Sequence, residues 1–252
     1  PISQSRSPML HYYWFEKHGL AGSYVPLAIR PEGLKDALRA LPSLLFAGCN
    51  LTIPHKQEAF KIVDQVDDTA KTIGAISCVI VRPDGTLAGT NNDHYGFVHN
   101  ILEFVPDWRA DAGPAAVMGA GGGARAVVYG LMSRGAREIR LCNRTKPRAE
   151  ALAREFGGPI TVVPWEDRHD CLDGCAMLVN ATGAGSNYSA TLPVSAPGLE
   201  ITFHNTGANA ILVFPNAGGT GSEKINALSA NASISIPATT STVFTCTTAG
   251  QW

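Results

Sequence analysis

Charge, long apolar runs and cysteine pairs spaced for a metal are all scarce in this chain of 252 residues. Only 16% of the residues are charged, against roughly 25% in an ordinary soluble domain. A low charge fraction can mark a membrane protein, but no stretch approaches the ~20 apolar residues of a spanning helix, so no membrane partner is expected. No run of Lys and Arg is present and the formal net charge is -1, so the basic footprint of a nucleic-acid binder is missing. The six cysteines stand at 49, 78, 142, 171, 175 and 246. Cys171 and Cys175 have no second pair to complete a zinc site, and no metal is expected. Such thiol usage fits a reducing, cytoplasmic compartment. There is no signal peptide. There is also no initiator methionine, and Pro1 reads as lying within a loop, as though residues preceded it.

What is present is a globular composition. Apolar residues make up 45%, enough for a real core without disulfides, and the length suits one large domain or two ordinary ones. The charge deficit is uneven. Residues 1–200 hold 39 of the 41 formal charges, and residues 201–252 hold only Glu223 and Lys224. Of those last 52 residues, 32 are Ala, Ser, Thr, Gly or Asn, a composition that offers few apolar stripes opposed to charged faces for amphipathic helices.

The patterning predicts helices over residues 11–18, 31–41, 55–63, 67–72 and 95–106, with strands over 23–29, 49–53, 75–81 and 86–89. Pro83-Asp84-Gly85 reads as a hairpin turn. A Pro-, Gly- and Asp-containing stretch, 106–114, is the candidate domain boundary. Beyond it strands at 115–118, 138–142, 160–163 and 177–180 alternate with helices at 124–134 and 146–156. That alternation is the signature of βαβ units and a mostly parallel sheet, an α/β fold.

Gly119-Ala120-Gly121-Gly122-Gly123-Ala124 lies between an apolar strand and a helix. Glycines there allow a tight turn and bring backbone N–H groups and a helix N-terminus against a pyrophosphate, which points to a dinucleotide site. The next strand runs into Asn143-Arg144-Thr145, with Lys146 and Arg148 close behind. An NAD site usually has an acid at this point to bind the ribose 2′-hydroxyl. Here cations replace it and suit a 2′-phosphate, so the expected cofactor is NADP.

Three polar clusters fall in loops of the first half: Ser5-Arg6-Ser7-Pro8, Asn50-Leu51-Thr52-Ile53-Pro54-His55-Lys56, and Asn91-Asn92-Asp93. Asn50 and Thr52 alternate on a short strand and can share a face. Lys56 falls in the first turn of a helix, where the positive helix end disfavours a cation, so a use other than capping is expected. A Lys and an Asp together can carry the proton of a carbinol oxidation.

These motifs resemble the shikimate dehydrogenase family. Its two serines before a proline and a histidine are matched by Ser5, Ser7, Pro8 and His11. Its Asn-Val-Thr-x-Pro-x-Lys is matched by Asn50 to Lys56, with Leu51 for Val. Its Gly-x-Asn-Thr-Asp-x-x-Gly is matched by Gly89, Asn91, Asn92, Asp93 and Gly96. The resemblance covers residues 1–182. It implies an N-terminal α/β substrate-binding and catalytic domain (1–106), a Rossmann-type NADP-binding domain (107–225), and a tail (226–252) returning to the first domain as helices. It further implies reversible reduction of 3-dehydroshikimate to shikimate in aromatic amino-acid biosynthesis, by a monomer or homodimer. Lys56 and Asp93 would be the catalytic pair. Ser5 and Ser7 would bind the substrate carboxylate, and Asn50, Thr52, Asn91 and Asp93 the ring hydroxyls. Gly119, Gly121, Gly122, Gly123, Ala124, Asn143, Arg144, Thr145, Arg148 and Thr182 would hold the cofactor.

The chain departs from the family pattern in three places. Gly74-Ala75-Ile76-Ser77-Cys78 stands for Gly-Ala-Val-Asn-Thr, so Ser77 would offer substrate a hydroxyl of shorter reach than the family's asparagine. Tyr12 replaces an asparagine after His11. Both changes leave a quinate or quinate/shikimate dehydrogenase as the alternative. After Thr182, Gly183-Ala184-Gly185-Ser186 replaces the family's Ser-x-Gly-Met, and no match to its substrate-binding glutamine is found beyond a weak echo at Gln251. A real divergence and an error in the sequence, such as a frameshift, both account for this break, and the loss leaves a catalytically weak, ligand-binding relative as a further alternative.

Overall fold

The computed structural model describes residues 2, 5–181, 188–191, 200–205, 211–214, 234–236 and 241–245. The first half contains α1 (Ser7–Lys17), α2 (Leu34–Ala40), β1 (Gly48–Asn50), α3 (Lys56–Phe60), β2 (Gln65–Val66), α4 (Asp68–Ile73), β3 (Cys78–Val81), β4 (Leu87–Thr90) and α5 (Asp93–Phe104). The second contains β5 (Ala115–Met118), α6 (Gly122–Ser133), β6 (Ile139–Cys142), α7 (Lys146–Phe156), β7 (Ile160–Val163) and β8 (Met177–Asn180). Five strands follow: β9 (Tyr188–Thr191), β10 (Glu200–Asn205), β11 (Ile211–Phe214), β12 (Ile234–Ile236) and β13 (Ser241–Thr245).

The first sheet has the order β1-β3-β4-β2. Its central hairpin, β3 with β4, is closed by the predicted turn, where Gly85 takes φ +82° and Asp84 Oδ1 accepts the Thr86 N–H at 2.9 Å. Leu34, Leu38, Leu41, Ile62, Ile76, Val79 and Leu87 form its core. Residues 23–29, read as a strand from the sequence, join no ladder. Pro26 has no N–H to give, Val25 and Leu27 are about half exposed, and the segment is tied instead by the Ile29 carbonyl to His55 Nε2 at 3.0 Å. Helix α1 starts earlier than expected, at Ser7, because Pro8 is well suited to a first helical turn.

The second sheet has the order β13-β10-β8-β5-β6-β7. All its pairings are parallel except that of β13 with β10. The chain leaves β5 toward β6 and β7, then crosses back to β8 on the other side. The order therefore reverses between β5 and β8, and in such sheets the crevice at the strands' carboxyl ends is where a nucleotide binds. Val117, Val128, Leu131, Ile139, Leu141, Leu152 and Val179 fill the core beneath it.

In residues 226–252, where returning helices are expected, the described residues are strand. β13 caps the edge of the second sheet, and β12 joins a small third sheet ordered β12-β11-β9. The local sequences Ile-Ser-Ile and Ser-Thr-Val-Phe-Thr favour a strand, since β-branched and aromatic residues pack well on a pleat. Among the described residues, no helix is long and apolar enough to cross a membrane.

Candidate active site

The first turns of α3 and α5 bring together two residues 37 positions apart. Lys56 opens α3 and Asp93 opens α5, and Lys56 Nζ lies 2.5 Å from Asp93 Oδ2. The aspartate suits a helix N-terminus, whereas the lysine does not, and the ion pair offsets that mismatch. Their side chains are 16% and 31% exposed, so the pair is only partly open to solvent.

Four hydrogen bonds fix this pair from below, three of them starting in the Ala75-Ile76-Ser77 segment. The Ala75 carbonyl accepts Asn91 Nδ2 at 2.9 Å, and Asn91 Oδ1 in turn accepts the Asp93 N–H at 3.0 Å. Ile76 N–H donates to the Lys56 carbonyl at 2.8 Å. Ser77 Oγ accepts the Asn92 N–H at 2.9 Å. Asn91 and Ser77 are both buried. Ser77, expected to offer its hydroxyl to substrate, has its oxygen accepting from the 91–93 loop, which leaves the O–H as a donor. Asn91, expected at a ring hydroxyl, uses its amide N–H on the Ala75 carbonyl and its amide oxygen on the Asp93 N–H.

Ser5 and Ser7 form a separate local group. Ser7 N–H donates to Ser5 Oγ at 3.3 Å, and the Ser7 carbonyl lies 2.8 Å from His11 Nδ1. Tyr24 stacks on His11 with ring centroids 3.9 Å apart. Burial pushes the Tyr24 phenol's pKa up, and a hydrogen bond with Ser7 opposes the rise. Cys49 and Cys78 also bear on this phenol, and Asn50 pairs with Cys78 across β1 and β3, so Ser7 and Asn50 belong to the same end of the sheet. Asn50 and Thr52 are exposed there. Tyr24 was not singled out by sequence, and no spacing rule would have paired it with Ser7.

The glycine loop has the geometry its sequence suggests. Gly119 takes φ +117°, closed to most side chains, and its N–H donates to the Cys142 carbonyl at 2.8 Å. Gly121 caps α6, Gly122 and Gly123 form its first turn, and Ala124 is buried behind them. Asn143 Nδ2 donates to the Thr145 carbonyl at 2.8 Å, a turn that leaves Arg144 and Arg148 exposed. A cavity of about 520 Å³ joins these parts: Lys56, the 119–123 loop, Asn143, Arg144 and Arg148 all line it. The donor set fits a phosphorylated dinucleotide, with N–H groups and a helix end for the pyrophosphate and guanidinium groups for a further phosphate. Among the described residues of the cavity wall the one carboxylate, Glu155, is engaged by Arg125. Thr182 lies outside the described residues.

Gly122 is one place where the two halves touch. A β-carbon there would stand 3.0 Å from Lys56 Cβ and 3.6 Å from Ala75 Cβ. Gly122→Ala should displace the lysine by a few tenths of an ångström and lower kcat about tenfold, since even 1 Å of misplacement can cost ~100-fold. Steady-state kinetics of the variant at saturating cofactor checks this.

Comparison with known proteins agrees with this geometry. The sequence profile described as the shikimate dehydrogenase substrate binding domain matches residues 1–79, and that described as shikimate / quinate 5-dehydrogenase matches residues 108–191. Over 202 residues the chain is 49% identical to a shikimate dehydrogenase (NADP(+)) of Paramagnetospirillum magneticum, covering 80% of this chain and 73% of that one. The chain belongs to the shikimate dehydrogenase family. A shikimate dehydrogenase structure from Aquifex aeolicus shares 36% identity at a TM-score of 0.66, covering 72% of this chain and 65% of the other. A shikimate 5-dehydrogenase structure from Thermus thermophilus, solved with NADP(H) and shikimate, shares 37% identity at a TM-score of 0.62 with the same coverage. The present shikimate dehydrogenase family member thus spans just under two thirds of those solved chains. Its α/β architecture, with a Rossmann-type second sheet, is that of the family. Among the described residues no group of three His, Cys, Asp or Glu is placed to hold a metal ion.

Proposed function

We propose that this chain is an NADP-dependent oxidoreductase acting on a CH–OH group, which interconverts 3-dehydroshikimate and shikimate. The observation that carries the reading is the Lys56–Asp93 pair set against the glycine loop at Gly122. When bound, NADPH supplies the hydride that adds to the carbonyl carbon. Lys56 Nζ gives the proton to the carbonyl oxygen, and its charge stabilises the alkoxide as it forms. Asp93 holds the ammonium in place and orients the substrate hydroxyl. In oxidation the same groups run in reverse.

Ser5 and Ser7 receive the substrate carboxylate, with Tyr24 and His11 bracing Ser7. Asn50 and Thr52 reach the ring hydroxyls. Asn91 and Ser77 act chiefly by holding the 91–93 loop. Residues 1–106 serve as the substrate-binding and catalytic unit and residues 107–225 as the dinucleotide-binding unit. The enzyme works in the cytoplasm, in aromatic amino-acid biosynthesis, as a monomer or homodimer.

The test is a comparison of kcat/KM for shikimate and quinate, each with NADP and NAD. The highest value is expected for shikimate with NADP. A higher value for quinate with NAD would establish the quinate reading that Ser77 raises. Binding of NADP without turnover of either substrate would mark a ligand-binding relative.

A further inference from the structure

Helix α6 is buried along most of its length, and its inward residues are small or apolar with one exception. Arg125 is 5% exposed, among Ala124, Ala126, Val127 and Val128. A buried charge is costly unless it is paired and hydrogen-bonded. Arg125 has three partners, one on a helix of the first half and two on a helix of the second. Its Nε donates to the carbonyl of Ile73, the last residue of α4. An Nη donates to the Glu155 carboxylate on α7. Its guanidinium carbon lies 5.3 Å from the centre of the Phe156 ring. Gly74, which follows Ile73, takes the left-handed conformation at φ +68°, and a β-carbon there would run into the guanidinium. The turn and the arginine are therefore moulded to each other.

The three residues that follow this turn are Ala75, Ile76 and Ser77. They are the ones whose hydrogen bonds hold Asn91, Lys56 and Asn92. So three of the four bonds described beneath the Lys56–Asp93 pair originate within four residues of the carbonyl that Arg125 grips, and the fourth, Asp93 N–H to Asn91 Oδ1, is made by the side chain that Ala75 holds. The same helix touches the pair a second time, one turn earlier, where Gly122 meets the Lys56 stem.

We infer that Arg125 is a positioning residue. It pins the Ile73–Gly74 turn to α6, and through it sets the Lys56–Asp93 pair in register with the glycine loop. Glu155 serves as its counter-ion and holds the guanidinium fork in the orientation that reaches Ile73. The inference rests on the proposed reading that proton and hydride move at this junction, but the placement of the turn is measurable without turnover.

The experiment uses the full chain with Arg125→Met, Arg125→Lys and Glu155→Gln. Amide hydrogen exchange is followed in 74–77 and 91–93, with 115–118 as the internal control. NADP affinity is read by calorimetry and shikimate oxidation by steady-state kinetics. For Arg125→Met, exchange in both segments should accelerate at least about tenfold with the control unchanged, and kcat should fall by roughly 30-fold with NADP affinity within about threefold. Arg125→Lys keeps a donor but loses the fork, and should recover part of both effects. Glu155→Gln should give a smaller loss in the same direction. Wild-type exchange in both segments of Arg125→Met overturns the inference, whatever the activity. Should that variant not fold, wild-type exchange in Arg125→Lys overturns it equally. A wild-type protein that turns over neither shikimate nor quinate sinks the functional reading instead, and the exchange data alone then decide the role of Arg125.

Discussion

Lys56→Ala is expected to lower kcat for shikimate oxidation about 1,000-fold, within the ~100- to 10,000-fold range of a positioned proton-transfer group. The reason is geometric. Lys56 Nζ sits 2.5 Å from the carboxylate of Asp93, and among the described residues lining the cavity it is the only lysine. NADP affinity should change by no more than a few-fold, because the lysine meets the glycine loop through its aliphatic stem and not through its charge. Asp93→Asn is the matching control. It keeps the side chain's shape and removes the charge that holds the ammonium, so it should reduce kcat by less than Lys56→Ala. A Lys56→Ala protein with near-wild-type kcat would remove the lysine from the mechanism. Stopped-flow reduction of NADP at saturating shikimate measures the step directly.

Arg144→Ala is expected to weaken NADP binding about 30-fold and to leave NAD binding within about twofold. A charge-assisted hydrogen bond contributes roughly 1.5–3 kcal/mol, and tenfold corresponds to about 1.4 kcal/mol. The selectivity follows from position. Arg144 stands two residues after β6 and Arg148 in the first turn of α7, both on the cavity wall, and no acid occupies the place where a ribose 2′-hydroxyl would be read. Adding Arg148→Ala should deepen the loss for NADP by a further factor. Equal losses for both dinucleotides would mean that the arginine contacts something other than the 2′-phosphate. Titration calorimetry with NADP and NAD separates these outcomes.

Much of this site was legible because its signals are local. A strand, a glycine loop and a helix follow one another within about twenty residues, and each imposes its own pattern on the sequence. The Asn50 to Lys56 segment likewise carries its turn, its proline and its lysine in one short run. What sequence could not show are the partnerships made across the fold. Arg125 reads as one more polar residue at the start of a helix, because its partner is a backbone carbonyl 52 positions away and carbonyls leave no trace in a sequence. The bond that Ser77 makes is hidden for the same reason: the N–H it accepts belongs to a loop 15 residues on. Residues 23–29 show the opposite error. They have the composition of a strand, and whether such a segment joins a sheet depends on a neighbour that composition does not reveal. In the last third, Ile234–Ile236 and Ser241–Thr245 are strands, which agrees with their β-branched content and departs from the helices expected by resemblance.

The contact at Gly122 bears on how such enzymes can be recombined. Nucleotide-binding halves are often treated as exchangeable parts, joined to a substrate half by a linker. Here the two halves share an atom-scale boundary: the hydrogen of one glycine lies where any larger group would press on Lys56. A graft of a foreign Rossmann half onto residues 1–106 would therefore succeed only if the donor carried glycine at this same helical position, however well its cofactor preference and linker were matched.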